Sequence, residues 1–379
     1  MTPGPPSTAA PGAIRIPAAL LPADGRFGSG PSRVPDAAVA ALAGAGRRLL
    51  GTSHRQEPVR ALIGRVQAGL AELFGLPDGY QVVLGNGGAA AFWDVAALCL
   101  MERRSQHAVF GRFSARFAAV AASAPHLAAP DVVEAPEGAA AACAARPDVD
   151  TYALTHNETS TGVMAAVCRP APEGLVVVDA TSAAGGLPVD PLEFDAYFFS
   201  PQKCFAADGG TWVALLSPAA LSRAEGAGGR TWVPPSLDLA EAAAAARRRE
   251  TFNTPSLATL VLMAEQVEWM LEGGGLAFAA GRSARSAAIL YGWAEAAPYA
   301  RPFVADPAAR SPVVATVELD AALPAGAVVA ALRANGVVDV GGYRGVGANQ
   351  LRVGMFPAVE PSDVEALTAC IDYVAGALS

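Results

Sequence analysis

Short apolar runs that end in small or polar residues recur through the first two thirds of the chain. Residues 82–84 run into Gly85-Asn86-Gly87-Gly88, and 108–110 into Gly111-Arg112-Phe113-Ser114. Residues 152–154 run into Thr155-His156-Asn157-Glu158-Thr159, and 175–178 into Asp179-Ala180-Thr181-Ser182. Residues 196–199 end at Ser200-Pro201-Gln202-Lys203, while 211–216 follow Gly209-Gly210. Near-continuous apolar strands separated by helical stretches predict an α/β fold with a mainly parallel sheet covered on both faces. Ligands collect outside the carboxyl ends of such strands. All of these polar clusters except Gly209-Gly210 fall there.

Further along, residues 241–249 are alanine-rich and then arginine-rich, which predicts a surface helix. Thr251-Phe252-Asn253-Thr254-Pro255 interrupts it, and a long helix is expected from about 256 to 271. Gly273-Gly274-Gly275 is a break. Beyond it the pattern predicts a helix (276–296), a strand (313–319), a helix (325–335), strands at 337–340 and 351–355, and a last helix (362–378). These readings divide the chain into a disordered tail (1–13), a large domain (14–262) and a smaller C-terminal α/β domain (263–379). No internal repeat is visible.

Composition narrows the function classes. Of 379 residues 52% are hydrophobic and 16% charged, so the chain is globular and not disordered. A net charge of -8 without a basic run argues against nucleic acid as a partner. No apolar run reaches the roughly 18 residues a membrane helix needs, since Asp94 breaks the stretch 89–101. Residues 1–13 lack the charge and apolar segment of a secretory signal, so a soluble, cytoplasmic protein is expected. The five cysteines are odd in number and none are at metal-ligand spacing, which argues against a disulfide framework and a zinc site.

The cations are sharper. Of 27 basic residues, 26 are arginines and one is a lysine, Lys203. Arginine cannot lose its proton in a protein or form an imine with a carbonyl, and lysine can do both. On counting alone a coding bias explains the lone lysine equally well, so its neighbourhood decides. Asp179 ends the preceding predicted strand, 24 residues earlier, and one crossover fits that gap. A carboxylate there either caps a helix or pairs with the nitrogen of a bound pyridine. The glycine turn at 85–88 opens a helix whose first N–H groups suit a phosphate, or it is an ordinary turn. Phe113 is either a core residue or a surface for stacking a flat ring. Arg55, Arg344 and Arg352 stand in low-charge segments and offer forks for carboxylate or phosphate.

Taken together, these residues resemble the phosphoserine aminotransferases, class V members of the fold type I enzymes that use pyridoxal 5'-phosphate (PLP). The matching segments run in the family's order: Gly28-Ser29-Gly30-Pro31, Ser53-His54-Arg55, Asn86-Gly87-Gly88, Asn157-Glu158-Thr159, Asp179-Ala180-Thr181-Ser182, Ser200-Pro201-Gln202-Lys203, Phe252-Asn253-Thr254-Pro255 and Tyr343-Arg344-Gly345-Val346-Gly347. The resemblance implies a seven-stranded, mainly parallel sheet in the large domain. It implies that Lys203 carries PLP as a Schiff base and moves protons, and that Asp179 binds the pyridinium. Thr159 would contact the ring oxygen and Phe113 stack on the ring. Amides at Ala89 and Ala90, with Thr181 or Ser182 and Gln202, would hold the cofactor phosphate. Asn253 and Thr254 would reach that phosphate from the other subunit of a homodimer. Arg352 would bind the substrate carboxylate, with His54, Arg55 and Arg344 on the phosphate or side-chain carboxylate. The implied reaction converts 3-phosphohydroxypyruvate and L-glutamate to O-phospho-L-serine and 2-oxoglutarate in serine biosynthesis. The 4-phosphohydroxythreonine step of pyridoxine biosynthesis is an implied second role.

The sequence departs from better-known members at Ala90, where an arginine is common, and at Tyr343, where a histidine is common. The gap between Arg344 and Arg352 is also slightly longer. Actinobacterial-like members share this simpler site. The competing readings are another class V transaminase of the alanine–glyoxylate or serine–pyruvate type, a desulfurase, a non-enzymatic PLP-binding regulator and a nucleotide-binding oxidoreductase. Gln202, where a desulfurase has histidine, and the absence of the Gly-x-Gly-x-x-Gly spacing weigh against two of these.

Overall fold

All six apolar runs become strands, and the edge strand that joins them has a different pattern. The computed structural model describes residues 11–227 and 232–378. In chain order the strands are β1 (Gln81–Asn86), β2 (Ser105–Val109), β3 (Asp131–Glu134) and β4 (Thr151–Thr155). A ribbon of β5 (Asn157–Glu158) and β6 (Val163–Met164) follows, then β7 (Leu175–Asp179), β8 (Ala196–Phe199) and β9 (Thr211–Leu216). Seven of them form one sheet in the order β1-β9-β8-β7-β4-β2-β3. Only β9 opposes its neighbours, pairing antiparallel with β1 and β8. The other pairings in the sheet are parallel.

Burial on both faces explains the unbroken apolar runs. Val176, Val178, Tyr197 and Phe199 face a core that includes the helices Glu57–Leu73 and Leu257–Gly273. Val177, Ala196, Phe198 and Trp212 face the opposite core with the helix Gly88–Cys99. β3 lies at the edge with an alternating, part-exposed pattern, so its two valines carry no comparable signal.

Three expectations change. The alanine–arginine helix spans Leu239–Arg247, with the Asp238 carboxylate accepting from the amides of Ala240 and Glu241. It is a surface helix only on its arginine side, because Leu239, Ala242, Ala243, Ala245 and Ala246 are buried. The glycine break is a tight reversal with positive φ at Gly274 and Gly275, between the helices Leu257–Gly273 and Gly275–Ala296. The strand expected at 337–340 reduces to isolated bridges, Val338 with Arg26 and Gly341 with Leu351. Asp339 has φ 64 there, which ends any extended run.

The C-terminal elements are β10 (Ala300–Pro302), β11 (Val314–Leu319) and β12 (Gln350–Gly354), an antiparallel sheet, with helices Ala325–Ala334 and Pro361–Leu378. Ile14, Ile16 and Phe27 pack in the same core as Val337, Leu351 and Cys370. The start of the chain therefore returns to the C-terminal layer, although the sequence division places it with the large domain. Residues 1–10 of the expected tail lie outside the described residues, and Pro11–Ala13 form a 3-10 turn. Among the described residues no helix is long and apolar enough to cross a membrane.

Candidate active site

The carboxyl ends of β1, β4, β7 and β8 open onto a cavity of about 470 Å³ lined by Gly88, Phe113, Thr159, Asp179, Gln202 and Lys203, among others. Lys203 follows β8 and is 8% exposed. Its Nζ donates to the Ser29 carbonyl at 2.6 Å. The Ser32 hydroxyl in turn donates to the Lys203 carbonyl at 2.8 Å, so the segment from Ser29 to Ser32 brackets the lysine. Residue 30 must be glycine here: its φ is +130, and a Cβ would stand 2.0 Å from Lys203 Nζ. Burial, with Arg352 nearby, depresses the lysine pKa to about 8.

Asp179 is the last residue of β7 and is 3% exposed. Oδ1 accepts from the Thr181 amide at 2.9 Å and from the Thr181 hydroxyl. Oδ2 accepts from Trp93 Nε1 at 2.8 Å. Burial raises the pKa of this carboxyl, and the three donors oppose that rise.

The first turn of the helix Gly88–Cys99 lines the same cavity at Gly88, Ala89 and Ala90, where its leading N–H groups lack intrahelical partners. The Gly87 amide donates to the Gly210 carbonyl at 3.0 Å, which braces the turn against the loop before β9.

Thr159 and Asn157 converge on one hydroxyl: Thr159 Oγ1 donates to Ser182 Oγ at 2.8 Å and Asn157 Nδ2 at 2.9 Å. Glu158 faces away from these. Its buried carboxylate accepts from the amides of Phe113 and Ser114, from the Ser114 hydroxyl, and from the Ser160 amide and hydroxyl. It caps the helix Arg112–Ser123 in place of a side chain at Gly111, where a Cβ would meet Glu158 Cγ at 2.3 Å. That cap fixes Phe113 in the cavity wall, its ring 5.8 Å from Tyr343 in an edge arrangement.

Arg352, on β12, donates through Nη1 to the Thr159 carbonyl at 3.0 Å, and its guanidinium lies 4.9 Å from the Tyr343 ring centre. Among the described residues it has no carboxylate partner, and its buried Nε has no acceptor. A half-buried guanidinium left this way calls for an anion.

Arg352 stands just outside the residues that line the cavity, and His54, Arg55, Arg344, Asn253 and Thr254 do not line it either. Thr254 Oγ1 lies 3.3 Å from His54 Nδ1, and the Thr254 carbonyl accepts from Asn86 Nδ2 at 3.1 Å. His54, Asn253 and Thr254 thus gather on a separate, largely exposed surface beside the glycine turn, with Arg55 adjacent in sequence. Arg344 is exposed in the loop before β12. Three contributors escaped the sequence reading: Trp93, Glu158 as a cap, and Arg116. Trp93 was legible in one respect, since it lies four residues after Ala89 and so on the same helix face.

PLP is a flat pyridine bearing an aldehyde, a hydroxyl and a phosphate, and the cavity supplies a complement for each part. Asp179 is a buried acceptor for a protonated ring nitrogen, and Lys203 is a depressed amine for the aldehyde. Helix-turn amides suit the phosphate, and Gln202 Oε1 and Asn157 Oδ1 are buried without partners.

The comparisons agree with this geometry. The family model described as aminotransferase class-V matches residues 27–367. A phosphoserine aminotransferase of Nocardioides sp. is 56% identical over 368 residues, covering 96% of this chain and 98% of that protein. The crystal structure of a phosphoserine aminotransferase from Cytophaga hutchinsonii superposes with a TM-score of 0.85 at 23% identity, over 92% of this chain and 99% of that one. A PLP-bound phosphoserine aminotransferase from Trichomonas vaginalis gives 0.81 at 16% identity, over 92% and 99%. The match over most of its length, together with a lysine and a carboxylate facing one cavity, places the chain in the class-V aminotransferase family.

Proposed function

We propose that this chain is a PLP-dependent aminotransferase that moves the amino group of L-glutamate to 3-phosphohydroxypyruvate, giving O-phospho-L-serine and 2-oxoglutarate. The observation that carries the chemistry is the lone lysine in one cavity with a triply hydrogen-bonded, buried aspartate. The 56% identity to the Nocardioides protein, over nearly all of both chains, supports the substrate choice.

When bound, PLP supplies an electron sink conjugated to the substrate's amine-bearing carbon. The chain's own residues do the rest. Lys203 Nζ, depressed to about 8, offers a free amine to a greater extent near neutral pH than an ordinary lysine does. It would hold the aldehyde, and its amine is placed to take and return the proton at the substrate carbon. Asp179, oriented by Thr181 and Trp93, would keep the ring nitrogen protonated. Thr159 would orient the ring hydroxyl, Phe113 would wall the ring, and the amides of Ala89 and Ala90 with Gln202 would hold the phosphate; Thr181, expected at the phosphate, instead gives both its donors to Asp179. Arg352 binds the carboxylate shared by both substrates.

His54, Arg55 and Arg344 recognise the distal phosphate or carboxylate. In a homodimer, Asn253 and Thr254 reach the partner's cofactor phosphate, and their exposure beside the glycine turn is consistent with that role. The same reading includes a large and a small domain meeting near residue 262, with residues 14–27 joined to the small one, and a cytoplasmic location. A second substrate, 4-phosphohydroxythreonine, follows from the same chemistry.

The test is a coupled assay on the purified protein with glutamate as donor. Phosphoserine formation at least about tenfold faster than transamination of glyoxylate or pyruvate is expected; equal rates with unphosphorylated acceptors would replace this assignment by the alanine–glyoxylate type.

A further inference from the structure

Trp93 sits where the cavity meets its protein wall. It is 5% exposed, projects from the first turns of the helix Gly88–Cys99, and lines the cavity beside Asp179. Its indole N–H donates to Asp179 Oδ2 at 2.8 Å. Indole is a donor only, and it bonds a charged carboxylate more strongly than the neutral acid, so this contact favours the ionised form. Thr181 serves the other oxygen with two donors. Trp93 is therefore the sole side-chain donor to Oδ2 among the described residues.

A cation stands over that indole. The guanidinium carbon of Arg116 lies 5.4 Å from the Trp93 ring centre. Arg116 lines the same cavity and has no acidic partner within 4 Å among the described residues. A cation over an indole face draws charge from the ring and makes its N–H a better donor. The ring is fixed as well, since Phe117, the next residue on the helix Arg112–Ser123, stacks on Trp93 at 6.1 Å and 18°. The other groups facing Asp179 do not do this work. Glu158 opposes ionisation, Lys203 lies across the cavity, and Tyr197 is buried and un-ionised behind the strand. His156 is neutral at working pH and meets Asp179 through its backbone amide.

We infer that Arg116 and Trp93 form a two-residue relay that keeps Asp179 ionised and aimed, and so sets how firmly the cofactor's ring nitrogen holds its proton. They are positioning residues acting through Asp179. The inference rests on the proposed PLP chemistry.

The experiment follows the near-visible absorption band of the bound cofactor from pH 5.5 to 10 in wild type, Trp93→Phe, Arg116→Gln and Arg116→Lys. A ring nitrogen that holds its proton less firmly withdraws less charge from the tethered amine, so that amine becomes more basic. Trp93→Phe is expected to move the band's midpoint up by about one pH unit and to weaken cofactor retention about tenfold. Arg116→Gln should move it up by about half a pH unit, and Arg116→Lys should restore most of that change. Arg116 is exposed, so its variants fold, and their spectra stand even if Trp93→Phe does not. Midpoints equal to wild type in both Arg116 variants would overturn the relay. A wild-type protein that shows no such band after incubation with PLP would instead overturn the PLP reading on which it rests.

Discussion

The two halves of the proposed site are built differently. Around Asp179 and Lys203 the charged groups are buried and each is already held by protein. Thr181 and Trp93 hold the aspartate, Ser29 the lysine, and Ser182 gathers Thr159 and Asn157. Around Arg352 the cations wait for something. Its Nε is unpaired, and the other two arginines proposed for the substrate, Arg55 and Arg344, are exposed on their own loops with no acidic partner among the described residues. A half that keeps a resident group for the enzyme's lifetime benefits from preorganised, satisfied neighbours. A half that binds and releases anions at every turnover cannot keep its charges neutralised by the protein.

The sharpest break in this contrast is at Lys203. Lys203→Arg keeps the charge but cannot condense with an aldehyde. Turnover should fall to background, and borohydride should no longer fix cofactor mass to the peptide containing residue 203. Measurable transamination in that variant would mean that another amine serves. Arg352→Gln tests the other half. A lost charge-assisted contact costs about 1.5–3 kcal/mol, so kcat/KM should fall about 10- to 100-fold for both amino donor and acceptor. The cofactor band of that variant should keep its intensity. Loss of the band instead would move Arg352 into the cofactor half.

A third measurement asks whether the halves belong to one chain. Lys203→Ala and Asn253→Ala proteins, each with reduced activity, are mixed under conditions that exchange subunits. If Asn253 serves the partner's cofactor, a mixed dimer contains one site with both residues intact. Activity should then rise severalfold above the mean of the parents. No rise on confirmed exchange would place Asn253 outside the partner's site.

How much of this was legible in sequence follows the same division. The parallel sheet was readable because strands buried on both faces need unbroken apolar runs, as in Leu175–Asp179 and Ala196–Phe199. Edge strands were not: Asp131–Glu134 buries too little to show a pattern. Nor could the pattern foresee that Val338 would bridge to Arg26 and leave no strand, since Asp339 takes φ 64 only in that tertiary setting. In the site, Asp179 and Lys203 stood out by ending strands. Trp93 and Glu158 did not, because both act from positions where a core aromatic or a loop acid is the ordinary expectation. Glu158 became a cap only when the fold brought Gly111 against it.

The effect farthest from catalysis concerns the sheet itself, where two histidines are buried without charge. His107 lies in β2 with Nε2 3.0 Å from Ser105 Oγ, and His156 follows β4 with Nδ1 3.0 Å from the Tyr197 hydroxyl. Burial depresses both to about 4. In the unfolded chain an imidazole protonates near its ordinary value of about 6.5. On acidification the unfolded chain therefore takes up these protons first, and the fold loses stability. The contribution of each histidine is intact above about pH 6.5 and is lost as pH falls toward 4. By pH 5 each should have cost about 2 kcal/mol, since a tenfold difference in proton affinity between folded and unfolded chain is worth about 1.4 kcal/mol. Denaturant unfolding at pH 7.5 and 5.0 measures the loss, and carboxylates contribute to it equally in all variants. His156→Gln, which keeps a polar group opposite Tyr197, should remove about half of the histidine share and flatten the slope between those pH values. An unchanged slope would mean that His156 is charged in the fold, and would place a cation directly behind Asp179.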